Sequence, residues 1–115
     1  MERESFELYV EETTDSSIVY IQGELDLAVA GQFRSAIEPL IPSDKSVVIN
    51  LRNLTYIDST GMGIIIFILK ARKEEGKPFI IEDTPPKIKR LFDLTGISKF
   101  LPEQDKSNAS KAEGI

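Results

Sequence analysis

The stretch Asp58-Ser59-Thr60-Gly61-Met62-Gly63 holds the residues whose types and spacing point most directly to chemistry. Asp58 and Ser59 stand just ahead of the apolar run Ile64-Ile65-Ile66-Phe67-Ile68-Leu69. Both residue types cap helix N-termini, because a side-chain oxygen there accepts a bond from a first-turn amide that has no intrahelical partner. Taken alone, the residues read as a cap. A cap leaves the two glycines unexplained, since each weakens a helix by about 1 kcal/mol relative to alanine. Glycine in the first turn bares the backbone and leaves the Ser59 hydroxyl open to another protein's active site. A phosphate on that hydroxyl would meet the positive end of the helix dipole, with the amides of Gly61 and Met62 expected to stabilise it. Glu24 and Asp26 form a second acidic pair. Asp26 also reads as a cap, and both matter further if the loops that follow strands gather at one end of a sheet.

Other chemistry is thinly provided for. Zero cysteines and zero histidines remove thiol chemistry, the commonest general base and the commonest zinc ligand. Carboxylates such as Glu24, Asp26 and Asp58 remain as the catalytic candidates, without a recognisable spacing. Gly61-Met62-Gly63 does not continue into a dinucleotide fingerprint, because Ile66 stands where the third glycine belongs and no strand is expected directly before it. Gly76-Lys77 fails as a phosphate loop, since Ala71 occupies the first glycine position. A formal net charge of −5 argues against nucleic-acid binding that depends on phosphate contacts. Met1 to Glu7 is mostly charged or polar and the longest apolar run is far short of about 20 residues, so neither a signal peptide nor a membrane span is expected. A cytoplasmic protein follows.

The elements that must position Ser59 can be taken in order. Phe6, Leu8 and Val10 alternate with polar neighbours as in a half-buried strand. Ile18-Val19-Tyr20-Ile21 is apolar on both faces, which predicts a deeper strand paired with the first as a hairpin. Gly23-Glu24-Leu25-Asp26 leads out of it into a helix with Phe33 and Ile37 inside, which should tighten or kink at Pro39 and stop by Pro42. Val47-Val48-Ile49 predicts a short buried parallel strand, followed by a loop through Asn53, Tyr56 and Ile57.

The central helix should then run from Ser59 to a stop at Gly76. At 100° per residue, Ile64, Ile65, Ile68, Leu69 and Ala71 face the core. Ser59, Gly63, Ile66, Lys70 and Lys73 line the outer side with Phe67 beside them, so a hydroxyl heads an exposed stripe carrying two large apolar residues. Phe79-Ile80-Ile81 reads as a strand, and Thr84-Pro85 as N-cap and first position of a helix through Ile88, Leu91 and Phe92 that Gly96 ends. Phe100-Leu101 suggests a last edge strand. The expected fold is a single α/β domain over residues 1–102, a mixed sheet of four to five strands covered by three to four helices. Residues 103–115 form a polar tail, weakly helical or disordered.

The run Asp58-Ser59-Thr60-Gly61-Met62-Gly63, together with Gly23-Glu24-Leu25-Asp26 and the element order across residues 5 to 101, resembles the bacterial anti-sigma-factor antagonists of the STAS domain family. Their motif is Asp-Ser-Ser/Thr-Gly-Leu-Gly, with Met62 replacing leucine here. The resemblance implies that Ser59 is phosphorylated by an anti-sigma factor that is itself a serine/threonine kinase, and restored by a PP2C-type phosphatase. Thr60 is the neighbouring hydroxyl. Together with the exposed stripe it gives an expected partner surface of Glu24, Asp26, Asp58, Thr60, Gly61, Met62, Gly63, Ile66 and Phe67, and the expectation is a monomer without enzymatic activity, cofactor or metal. A STAS accessory or scaffold subunit of a transport or stress-sensing assembly is the alternative reading.

Overall fold

A computed structural model describes residues 6–100. Strands β1 (Glu7–Glu12) and β2 (Ser16–Leu25) form the expected antiparallel hairpin, with Leu8 opposite Ile21 and Tyr9 opposite Tyr20. The wet face of β1 is exposed, and Val19 and Ile21 of β2 are buried. Asp26 caps a single 3-10 turn, Leu27–Val29, and α1 (Ala30–Ile37) follows it. A second 3-10 turn, Glu38–Leu40, closes that helix. Pro39 lies in it, as its missing N–H requires.

Strand β3 (Ser46–Ile57) is much longer than its apolar start suggests. The segment expected as a loop through Asn53, Tyr56 and Ile57 is strand, because Leu54 and Ile57 turn inward while Asn53, Thr55 and Tyr56 stay exposed. Its outer half pairs in parallel with Gln22–Leu25 of β2. Register shifts near Gln22 and Glu24 absorb the mismatch, and Gly23 supplies the positive φ of 91° there. Helix α2 (Ser59–Glu74) starts directly from β3 and stops before Gly76 at φ 69°. A strand therefore does precede Gly61-Met62-Gly63, and the nucleotide reading fails only for want of its third glycine.

Strand β4 (Phe79–Glu82) joins β3 in parallel and leads to α3 (Pro86–Thr95). That helix begins one residue later than expected, with Pro85 as N-cap at an extended ψ of 149°. Pro86 forces this, since the residue before a proline avoids helical torsions. Phe100 ends a 3-10 turn, Ile97–Phe100, rather than opening an edge strand; Leu101 and the 103–115 tail lie outside the described residues.

The four strands lie in the order β1-β2-β3-β4. Two right-handed crossovers that step the same way put α1 and α2 on one face of the sheet. There they touch each other and share a core with Val19, Ile21, Leu25, Phe33, Ile49, Leu51, Ile65 and Ile68. Ile88 and Phe92 carry α3 into the same core.

Candidate functional site

Parallel pairing brings the ends of β2 and β3 side by side, with Glu24 opposite Tyr56 and Leu25 opposite Ile57. The next residues of the two strands, Asp26 and Asp58, are therefore neighbours although 32 positions apart in sequence. The Asp58 amide donates to the Leu25 carbonyl at 3.2 Å. Its carboxylate is shared: Oδ1 accepts from Gly61 N–H at 3.0 Å and Oδ2 from Leu27 N–H at 3.1 Å. Asp26 Oδ1 accepts from Ala28 N–H at 3.0 Å. One negative group thus caps α2, where the dipole favours it, and ties down the loop after β2.

Ser59 is exposed at the first helical position and Thr60 is half-buried. Gly61 and Met62 are both buried, so neither presents a side chain on the surface. A Cβ on Gly61 would lie 2.7 Å from the Leu25 carbonyl oxygen and 2.8 Å from Leu25 Cγ. The glycine is there for close packing against β2, not to open the backbone. Met62 packs into the core, and its Sδ is 3.8 Å from the Thr95 hydroxyl of α3. Nor are their amides available to a phosphate, since Gly61 N–H is taken by the Asp58 carboxylate and Met62 N–H by the Asp58 carbonyl at 3.0 Å. The first-turn amides of Ser59 and Thr60, which lie ahead of the helical ladder, are the ones placed to serve an anion.

Beyond the first turn the outer stripe follows its expected course. Gly63, Lys70 and Lys73 are exposed, Ile66 is half-buried and Phe67 is 41% exposed. Ile64, Ile65, Ile68 and Leu69 are buried as expected, whereas Ala71 is only half-buried. Two surface residues escaped the sequence reading. Leu27, 72% exposed, stands on the loop that Asp58 holds. Arg34 of α1 lies 4.6 Å over the Phe67 ring, with its Nε 2.9 Å from Glu38. An apolar residue directly after a cap was a cue for the first; the second needed the packing of α1 beside α2. Glu24 and Asp26 are half-buried at the rim of this surface. Among the described residues no helix is long and apolar enough to cross a membrane.

Comparison with known proteins places these features in a wider set. The STAS domain model matches residues 7–110. The anti-sigma-B factor antagonist of Bacillus subtilis (strain 168) is 33% identical over 89 residues, covering 77% of this chain and 82% of that protein. A crystal structure of an anti-sigma factor antagonist from Mycobacterium paratuberculosis superposes with a TM-score of 0.76 at 26% identity, over 85% of this chain and 84% of the other. SpoIIAA in its unphosphorylated form shares the fold at a TM-score of 0.68 and 20% identity, over 96% and 98% of the two chains.

Proposed function

The chain belongs to the STAS domain family, and from that premise we propose that it is an anti-sigma-factor antagonist worked by phosphorylation of Ser59. The observation that carries the reading is an exposed hydroxyl at the first position of α2, heading a stripe that includes Ile66 and Phe67. In the unphosphorylated state this surface binds an anti-sigma factor that is a serine/threonine kinase. Binding occupies the kinase and frees a sigma factor to activate transcription in the cytoplasm. The protein acts by binding, with Asp58, Thr60 and Gly63 around the acceptor and with Glu24 and Asp26 at the rim.

Phosphorylation adds about −1.5 to −2 of charge next to the Asp58 carboxylate. The helix dipole and the amides of Ser59 and Thr60 keep that charge compatible with the fold. The same charge is costly to desolvate against an apolar interface and repels acidic groups across it. Affinity for the kinase therefore falls without any change of fold, and a PP2C-type phosphatase resets the surface.

The test compares wild type, Ser59→Ala and Ser59→Asp as baits in lysate of the source bacterium, with bound proteins identified by mass spectrometry. Wild type and Ser59→Ala should retain a small kinase-like ATPase, and Ser59→Asp should bind it about tenfold more weakly or worse. Incubation with ATP should phosphorylate wild type only. Equal recovery of transport or scaffold proteins by all three would replace this reading with an accessory subunit whose Ser59 is idle.

A further inference from the structure

We propose that Asp58 is a positioning residue for the kinase interface, and that what it positions is Leu27, a second apolar anchor beside Ser59. The inference rests on the kinase-binding reading above.

A single exposed leucine is ordinary on a protein surface. Leu27 differs in how it is held. It is 72% exposed, yet its own amide donates to Asp58 Oδ2 at 3.1 Å. The next amide, of Ala28, donates to Asp26 Oδ1, and the amide of Val29 donates to the Asp26 carbonyl at 3.1 Å. Three successive backbone donors are thus satisfied by two aspartates, which fixes the turn that carries the leucine. An apolar side chain on a fixed turn loses less freedom on docking than one on a loose loop.

Its place also follows from Asp58. The residue whose carboxylate holds Leu27 is the immediate neighbour of Ser59, and the same carboxylate caps the helix that presents Ser59 and Phe67. The turn runs on into α1, whose Arg34 covers Phe67. Leu27 thus stands on the turn held by the residue before the acceptor, and Phe67 lies about two turns along α2 from it. A kinase that closes over the Ser59 hydroxyl meets an apolar contact on each element. Asp58 makes the two elements one surface.

Asparagine at position 58 separates the roles. Its single amide oxygen still caps the helix, since asparagine and aspartate are equally good N-caps. Its NH2 group then faces the Leu27 N–H, donor against donor, so the turn is released while Ser59 stays at the head of α2.

The experiment measures Ser59 phosphorylation by the kinase that wild type retains, for wild type, Leu27→Ala, Asp58→Asn and the double variant. Each single substitution should raise KM about tenfold with kcat unchanged, and the double variant should be no worse than about twofold beyond either single one. Independent effects, multiplying to about a hundredfold, would overturn the coupling. An unchanged KM for Leu27→Ala would overturn the anchor, whether or not Asp58→Asn folds. Failure of the kinase reading itself shows elsewhere, because wild type would then be neither bound nor phosphorylated.

Discussion

Gly61 and Gly63 are two residues apart in one helical turn and have opposite reasons for being glycine. At Gly61 a methyl would meet the carbonyl oxygen and Cγ of Leu25 at 2.7 and 2.8 Å and Ile57 Cγ1 at 3.0 Å. At Gly63 it would meet nothing within 4 Å. Gly61→Ala should therefore destabilise the protein by about 2 kcal/mol or more, by pushing α2 off β2. Gly63→Ala should stabilise it by about 0.5–1 kcal/mol through helix propensity. Urea titrations of the two variants check both signs. Because Gly63 lies on the exposed stripe, the second variant also adds a methyl to the proposed interface, and a loss of kinase affinity there despite higher stability would mark direct contact. The exposed serine of the first turn and the aspartate cap were legible from residue types. What distinguished the glycines was not, because Leu25 is 36 positions away from Gly61 in sequence.

Among the elements, α2 owes its seat to a side chain that reads from sequence as an ordinary basic residue of a last helical turn. Arg72 is fully buried. Its guanidinium donates to the carbonyls of Leu40, Ile41, Ser43, Lys45 and Pro78, at 2.6 to 3.3 Å. These carbonyls belong to the connection from α1 to β3 and to the entry of β4, so one side chain pins both segments against the C-terminal half of α2. Burial draws its pKa down from the ordinary arginine value, with Asp44 and Glu75 opposing. Arginine nonetheless remains charged, and its planar fork matches several acceptors at once. Arg72→Ala should cost about 3 kcal/mol or more, since it empties a buried volume and leaves carbonyls unpaired. Arg72→Lys should recover only part of this, because an ammonium has three donors on one point. Thermal melts of both variants test the ranking. Helical periodicity identified which side of α2 is apolar, but the apolar stripe and the buried arginine share that side. No local pattern separates a lysine-like surface cation from an arginine clamp.

For the whole molecule, two polar links between strands give stability a pH window. Glu12 Oε1 accepts from the Ser17 hydroxyl at 2.7 Å and from Lys45 Nζ at 3.0 Å. The Ser17 bond, and then Lys45, hold its carboxyl below the ordinary value of 4.5. A lowered pKa means that the folded state favours the ionised form, so this contribution is present above the ordinary value and is lost as pH falls through the folded one. The Tyr20 hydroxyl donates to Glu11 at 3.1 Å, and that bond raises its pKa above the ordinary 10.0. Here the contribution is present below the ordinary value and is lost as pH rises through the folded one. Glu12→Gln should therefore differ from wild type near neutrality and converge with it in acid, while Tyr20→Phe should converge in alkali. Denaturation midpoints across the pH range check both. The element order, the hairpin, the two parallel strands and the helix that presents Ser59 were determined by the sequence alone, because hydrophobic period, caps, glycines and prolines act over a few residues. Only the tertiary structure decided that β3 extends to Ile57, that Gly61 and Met62 face inward, and that Asp58 reaches Leu27. Those facts depend on which strands lie side by side and in what register. That choice is made by contacts between residues distant in the chain, of which a local pattern carries no record.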